Sequence, residues 1–152
     1  NSIFLESAYF NPPSIRKTSS YHGLVTDASF RFERGCDPDI TVYALKRAAL
    51  LIKELAGGET TEIMDKYPKK IPHEQVNLKY SYLNKITGKE YSSDEINHIL
   101  DALEINIEKK NEEEVLTSVP SYRVDVKRPA DLVEEILRIK GFNTIPVSET
   151  VS

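Results

Sequence analysis

The chain has 152 residues, of which 39% are hydrophobic and 29% charged, and its formal net charge at pH 7 is −4. This size fits one ordinary globular domain, or one small domain with a neighbouring piece attached. The acidic balance argues against a stand-alone nucleic-acid-binding protein, because Lys and Arg at the phosphates supply most of that affinity. No apolar run approaches the roughly 20 residues that cross a bilayer, so we expect a cytoplasmic protein without membrane contact. The single cysteine, Cys36, excludes an internal disulfide and fits a reducing compartment.

The first part of the chain carries the signals of two strands and two helices. An apolar run at residues 3–10 predicts a buried strand, and the polar residue and prolines that follow predict a helix over residues 11–23. A turn at residues 26–29 leads to alternating apolar residues at 30–32, which predict a second strand. Helical spacing over residues 37–58 predicts the longest helix. Because the sequence opens on an apolar run without an initiator methionine, we expect a fragment of a longer protein.

The second part reads as a compact α+β unit. A polar, proline-punctuated stretch at residues 59–71 predicts a linker before it. Strands and helices then alternate: a strand at residues 76–80, a helical turn at 81–86, a helix opened by a Ser92 and Glu95 capping box, strands at 105–107 and 115–119, and a helix at 130–140.

A short run that passes from an extended segment into the last predicted helix carries four acidic residues: Asp125, Asp131, Glu134 and Glu135. Pro129 at the first turn and Gly141 beyond the end delimit this helix, and Leu132, Ile136 and Ile139 mark its buried face. Residues three or four apart on a helix are neighbours, so the helical acids lie close together, and the preceding segment can fold over them. Converging carboxylates repel one another unless a cation lies between them, and Mg²⁺ or Ca²⁺ prefers oxygen ligands.

A simpler interpretation of these acids stays open. Acids in a first helical turn offset the positive end of the helix dipole, and Arg123 and Arg128 can neutralise the others in surface ion pairs. The histidines, His22, His73 and His98, are too scattered to indicate a zinc site. No phosphate loop or general-base histidine stands near the acids, which argues against a magnesium-dependent hydrolase.

Several short motifs stand in a fixed order along both halves of the chain. In the first half they are Glu6-Ser7-Ala8, Ser14-Ile15-Arg16, Thr26-Asp27-Ala28-Ser29, Arg31-Phe32-Glu33-Arg34-Gly35 and Asp37-Pro38. In the second half they are Leu83-Asn84-Lys85-Ile86-Thr87-Gly88, Val119-Pro120-Ser121-Tyr122-Arg123-Val124-Asp125, Asp131-Leu132-Val133-Glu134-Glu135 and Gly141-Phe142-Asn143-Thr144-Ile145-Pro146. Because of the order and spacing of these motifs, the chain resembles the family of bacterial phenylalanyl-tRNA synthetase beta subunits over nearly its whole length.

The resemblance implies an α+β fold, with a small mixed winged-helix-like module preceded by a strand-helix-strand-helix remnant of the editing module. Residues 1–58 then correspond to the C-terminal part of the B3/B4-type editing module, residues 59–71 to a linker and residues 72–148 to a B5-type tRNA synthetase module. The family's pocket histidine and glycine-rich segment belong to the part of the editing module that precedes residue 1. We therefore expect no editing by this chain alone.

The resemblance also implies two sites. The family's magnesium ligands fall on Asp125, Asp131, Glu134 and Glu135. A pocket that accepts tyrosine and leaves phenylalanine needs a polar partner for the phenolic hydroxyl, and that role falls on Glu6. Ala28 then leaves room for the ring, and Thr26 offers a hydroxyl. The alternative is an ion pair of Glu6 with Arg16 or Arg31, and a turn that Thr26 caps.

The function that the resemblance implies belongs to a larger complex. That complex joins phenylalanine to tRNA(Phe) using ATP, and a catalytic alpha subunit binds the ATP in a heterotetramer of two alpha and two beta subunits. We expect no catalytic residue in this chain, which would contribute the Mg²⁺ site, subunit assembly and part of the editing pocket. The alternative is a winged-helix-like RNA-binding module that acts without metal, although its last helix is acidic where a basic one is expected.

Overall fold

The computed structural model describes residues 2–145, and the chain divides between Pro72 and His73 into two compact units. The first unit contains three helices: α1 (Pro12–His22), α2 (Asp27–Phe32) and α3 (Thr41–Ala56). The side chain of Asn11 caps α1 by accepting a hydrogen bond from the Ser14 N–H, at 3.1 Å. Gly23 ends the same helix with a φ of 65°, a left-handed conformation that glycine adopts without steric cost.

The second unit is a three-stranded antiparallel sheet packed against helices. Its elements are β1 (Glu74–Lys79), α4 (Tyr80–Thr87), α5 (Ser93–Ala102), β2 (Asn106–Lys110), β3 (Glu114–Val119), α6 (Pro129–Lys140) and a 3₁₀ turn (Phe142–Thr144). The strand order is β1-β3-β2, so the last strand in the sequence is the central one. The predicted α+β class is therefore confirmed.

The apolar core belongs to the second unit. The side chains that fill it come from the sheet, α4, α5 and α6, and Leu78, Leu83, Leu100 and Ile136 are fully buried. Among residues 2–72, by contrast, only Pro38 is buried. The described part of the first unit leaves large apolar side chains in solvent, because its helices have little packed surface of their own.

Two predicted strands of the first unit are wrong. Residues 3–10 form neither helix nor strand, because a strand needs a neighbouring strand and the described residues of this unit supply none. Residues 30–32 lie in α2 instead. That helix begins with a reciprocal capping box, in which the Ser29 N–H donates to Thr26 Oγ1 at 3.1 Å and the Thr26 N–H donates to Ser29 Oγ at 2.9 Å. Two alternating phenylalanines were too short a pattern to specify a strand.

The buried face of α6 also differs from the prediction at one residue. Leu132 and Ile136 are fully buried as expected, but Ile139 is 59% exposed. Ile139 is the second-last residue of α6, and the buried residues of that helix end at Leu137. One of those buried residues is an acid, Glu135, which is only 4% exposed.

None of the helices in residues 2–145 has the length and hydropathy needed to cross a membrane. Cys36 is a free, half-buried thiol. The predicted 72–148 module extends to residues 146–148, which lie outside the described residues.

Candidate functional site

The segment between β3 and α6 places the acidic residues at the start of the last helix. The Arg123 N–H donates to the Pro120 carbonyl at 2.9 Å, which turns the chain, and Val126 is buried at 1% exposure, which anchors the segment to the core. A side-chain contact also holds the turn: the Tyr122 hydroxyl donates to Oε2 of Glu104, which lies between α5 and β2, at 2.5 Å. The segment is therefore held by backbone, apolar and polar contacts in addition to its ion pairs.

Asp131 lies in the first turn of α6, and its side chain reaches back to the N-cap residue, Arg128. Its Oδ2 accepts hydrogen bonds from the backbone N–H groups of Lys127 and Arg128, at 3.0 and 2.8 Å. Its Oδ1 accepts from Arg128 Nη2 at 2.9 Å. The Arg128 guanidinium, followed by the Lys127 N–H, lowers the pKa of Asp131 from its ordinary value to about 2. This carboxylate is ionised at neutral pH and satisfies backbone donors that the helix leaves open.

Arg123 joins two other acids. Its Nε and Nη2 donate to the two carboxylate oxygens of Asp125, each at 3.2 Å, and Nη2 also lies 2.9 Å from Glu135 Oε2. The hydrogen bond from Arg123 lowers the pKa of Asp125, and that same bond raises the pKa of Arg123. Glu135 is the buried end of this arrangement, with a side chain 6% exposed, whereas the Asp125 side chain is 59% exposed.

Arg138 continues the arrangement along α6. Its Nη2 lies 2.8 Å from Glu134 Oε1 and 3.3 Å from Glu135 Oε1, as expected for residues four and three apart on a helix. The order of contacts is Asp125, Arg123, Glu135, Arg138, Glu134, in which acids and arginines alternate. We refer to these five residues as the ion-pair chain.

The four predicted metal ligands therefore lie in the segment before α6 and in the first two turns of that helix, and each of them pairs with an arginine. Within residues 2–145, no group of three or more His, Cys, Asp or Glu side chains could hold a metal ion. The donor chemistry suits a hard cation, whereas this arrangement of the carboxylates does not form a coordination site. The alternative interpretation, in which Arg123 and Arg128 form ion pairs with the acids, agrees with the structure: Arg123 pairs with Asp125 and Arg128 with Asp131. The magnesium site itself stays a prediction.

Two functional features of this region escaped sequence reasoning. Arg138 was not singled out, although its position four residues after Glu134 is a signal for a helical ion pair. The burial of Glu135 was not foreseen, because acids are rarely buried unless they are paired. The turn of α6 that contains Glu134 and Glu135 is therefore partly buried, although its charged residues predict an exposed turn.

The three predicted pocket residues lie in the first unit and are all exposed. Glu6 belongs to the segment without helix or strand, Thr26 caps α2, and Ala28 is in the first turn of that helix. Arg16 donates to the backbone carbonyl of Glu33 at 3.3 Å, and no ion pair of Glu6 occurs within the described part of the chain. Thr26 therefore has the capping role that was the alternative to a pocket residue. The editing pocket itself stays a prediction.

Comparison with known proteins identifies both halves of the chain. Residues 1–57 match the B3/4 domain family, and residues 76–142 match the tRNA synthetase B5 domain family. The phenylalanine–tRNA ligase beta subunit of Bacteroides fragilis is 47% identical over 98% of this chain, which covers 18% of that protein. The beta subunit of Geobacter metallireducens is 47% identical over 97% of this chain and 19% of the relative, and that of Fusobacterium nucleatum is 43% identical over 94% and 18%. The chain thus spans less than a fifth of these relatives, and it belongs to the family of phenylalanine–tRNA ligase beta subunits.

Proposed function

We propose that this chain is a non-catalytic part of a phenylalanine–tRNA ligase, the complex that joins phenylalanine to tRNA(Phe) using ATP. The observation that carries the proposal is the similarity to a beta subunit over 98% of the chain. Within the chain, the B3/4 match precedes the B5 match. ATP and the ligation chemistry belong to the catalytic alpha subunit, and the complex works in the cytoplasm as a tetramer of two alpha and two beta subunits.

We assign the two halves different roles within that complex. Residues 1–58 contribute the C-terminal part of the editing module, residues 59–71 are a linker, and residues 72–148 form the B5-type module. The packed core of the second unit supports a role as an assembly module, because a rigid surface loses little conformational freedom when a partner binds.

The magnesium role belongs to the acids at the start of α6. In this proposal, Asp125, Asp131, Glu134 and Glu135 supply oxygen ligands to Mg²⁺ near the contact with the alpha subunit. Their chemistry supports the assignment, since Mg²⁺ is held in proteins by a few carboxylates and keeps several waters. All four carboxylates already have guanidinium partners, Asp131 through Arg128 and the other three within the ion-pair chain, so the cation requires a rearrangement of the arginines.

The editing role belongs to the first unit. Glu6 would meet the phenolic hydroxyl of a misplaced tyrosine, while Ala28 leaves space for the ring and Thr26 lies beside it. Discrimination on one hydroxyl is strong when a site is built to hydrogen-bond it, because the analogue without the hydroxyl leaves buried polar groups unpaired. Glu6→Ala in the assembled ligase should lower hydrolysis of tyrosine-charged tRNA(Phe) without changing phenylalanine ligation.

The experiment that tests the assembly role is a calorimetric titration of the alpha subunit into this chain, with Mg²⁺ and then with chelator. We expect binding that requires Mg²⁺ and that weakens in Asp125→Asn and in Glu134→Gln/Glu135→Gln. The matched control is Glu112→Gln/Glu113→Gln, an acidic pair in the loop between β2 and β3. Binding that ignores both the cation and the acids would assign the contact elsewhere, and no binding would remove this chain from the alpha-subunit interface.

A further inference from the structure

An aromatic contact joins the segment that carries Glu6 to helix α2. Resting on the proposed editing role, we infer that Phe32 is a positioning residue for Glu6. Its ring packs against that of Phe10 and so holds the Glu6 segment beside the helix that carries Ala28. Neither phenylalanine belongs to the predicted pocket residues.

The contact is an edge-to-face pair of rings. The ring centroids of Phe10 and Phe32 lie 5.0 Å apart, and the two ring planes meet at 77°. In this arrangement the positive edge of one ring meets the negative face of the other, so the pair fixes an orientation as well as a distance. Phe32 is half-buried, whereas Ala28, one turn earlier in α2, is exposed.

The segment that Phe32 holds has no regular structure of its own. Residues 2–10, all of which the structure describes, lie in neither helix nor strand, and none of them makes a backbone hydrogen bond to another element. Glu6 is four residues before Phe10, a separation of at most about 14 Å in an extended chain. The ring contact therefore limits how far Glu6 can move from α2.

The helix that receives this contact is also the other wall of the proposed pocket. Ala28 and Phe32 are four residues apart in α2, so their side chains lie on the same face. The capping box between Thr26 and Ser29 fixes the start of that helix. The segment held by Phe32 thus meets the face of α2 on which Ala28 would leave room for a substrate ring.

The test compares beta-subunit variants in the assembled ligase, with tyrosine-charged tRNA(Phe) as the substrate. We expect Phe32→Leu to lower kcat/KM for its hydrolysis about tenfold without changing phenylalanine ligation, because a misplacement of about 1 Å costs up to about a hundredfold in rate. Phe32→Tyr keeps the ring and should keep hydrolysis. The matched control is Phe30→Leu in the same helix, whose ring contacts Arg34 instead, with Cζ 3.4 Å from the ring centroid.

Combination with Glu6→Ala separates positioning from a general effect on structure. If Phe32 acts through Glu6, Phe32→Leu should lower hydrolysis no further in the Glu6→Ala background. Phe10→Leu, on the exposed side of the ring pair, should reproduce the loss. Additive losses, an equal loss in Phe30→Leu, or a loss in Glu6→Ala alone would overturn the inference and leave the editing role intact. Unchanged hydrolysis in every variant, Glu6→Ala included, would overturn both.

Discussion

At the scale of single residues, Glu135 is a charged side chain in a buried position. A buried carboxylate is costly unless opposite charges and hydrogen bonds compensate for the lost water. Arg123 and Arg138 supply that compensation from two directions. We expect Arg123→Ala to lower the free energy of unfolding of the second unit by about 1–3 kcal/mol, because Glu135 keeps only one partner.

Urea denaturation measures this change. Glu135→Gln should recover part of the loss in the Arg123→Ala background, since the buried group is then neutral. If the double variant is less stable than Arg123→Ala by the full effect of Glu135→Gln alone, the two side chains do not interact.

Asp131 gives the second unit a defined response to acid. Its pKa of about 2 in the folded state lies below the ordinary value, so its stabilising effect is complete above about pH 4 and is lost as the pH falls towards 2. Thermal melts of the unaltered chain and Asp131→Asn should therefore differ most near neutral pH and converge near pH 2. Asp101→Asn, an exposed acid on α5, is the control for the loss of one negative charge.

Glu104 combines an unfavourable backbone with a favourable side-chain contact. It has a φ of 60°, which disfavours residues with a Cβ, and its carboxylate accepts from the Tyr122 hydroxyl. We expect Glu104→Gly to stabilise the Tyr122→Phe variant by about 0.5–1 kcal/mol, because the strain is relieved and no hydrogen bond to Tyr122 is lost. The gain should be smaller in the unaltered chain. Equal gains in the two backgrounds, measured by urea denaturation, would show that the Tyr122 contact contributes nothing.

At the scale of secondary-structure elements, helix starts are the features that local sequence determines best. The Ser92 hydroxyl accepts from the Glu95 N–H at 3.3 Å and so caps α5. The reciprocal half of the predicted capping box is replaced, since the Glu95 carboxylate pairs with Lys140. We expect Ser92→Ala to cost about 1 kcal/mol in urea denaturation. Ser93→Ala, one residue into the helix, should change stability much less, and an equal loss would remove the cap as the cause.

The predictable elements are those whose signals are local. α1 and the strands of the second unit follow from a capping residue, prolines and apolar residues that recur within a few positions. The expected strand at residues 3–10 depended instead on a partner strand, which no local pattern can supply. The acids of α6 followed from helical spacing and Arg123 and Arg128 were expected as partners, but the pairing of Arg123 with the buried Glu135 was not. Which oxygens Arg123 contacts depends on a turn and on side-chain rotamers that the sequence pattern does not encode.

At the scale of the whole molecule, the two units differ in the core that each contains. Buried apolar side chains fill the second unit, whereas Leu55 of α3 and Phe4 in the first unit are 84% and 87% exposed. Amide protection depends on buried contacts, so we expect peptides from α3 to exchange hydrogen early and peptides from β3 to exchange last. Hydrogen exchange with mass spectrometry measures both regions together. Protection of α3 equal to that of β3 would show that α3 is covered when the chain is in solution.

The central position of β3 imposes an order of events while the chain is being synthesised. β2 and β3 are joined by a short loop and can form a hairpin within microseconds of leaving the ribosome. β1 emerges much earlier, yet its pairing edge has no partner until residues 114–119 have been made. Val76 and Leu78, which are buried in the finished sheet, lack the packing of β3 and α6 against their strand for that whole interval. Slow codons between β1 and β3 would therefore lengthen the period in which the nascent chain is open to misassembly.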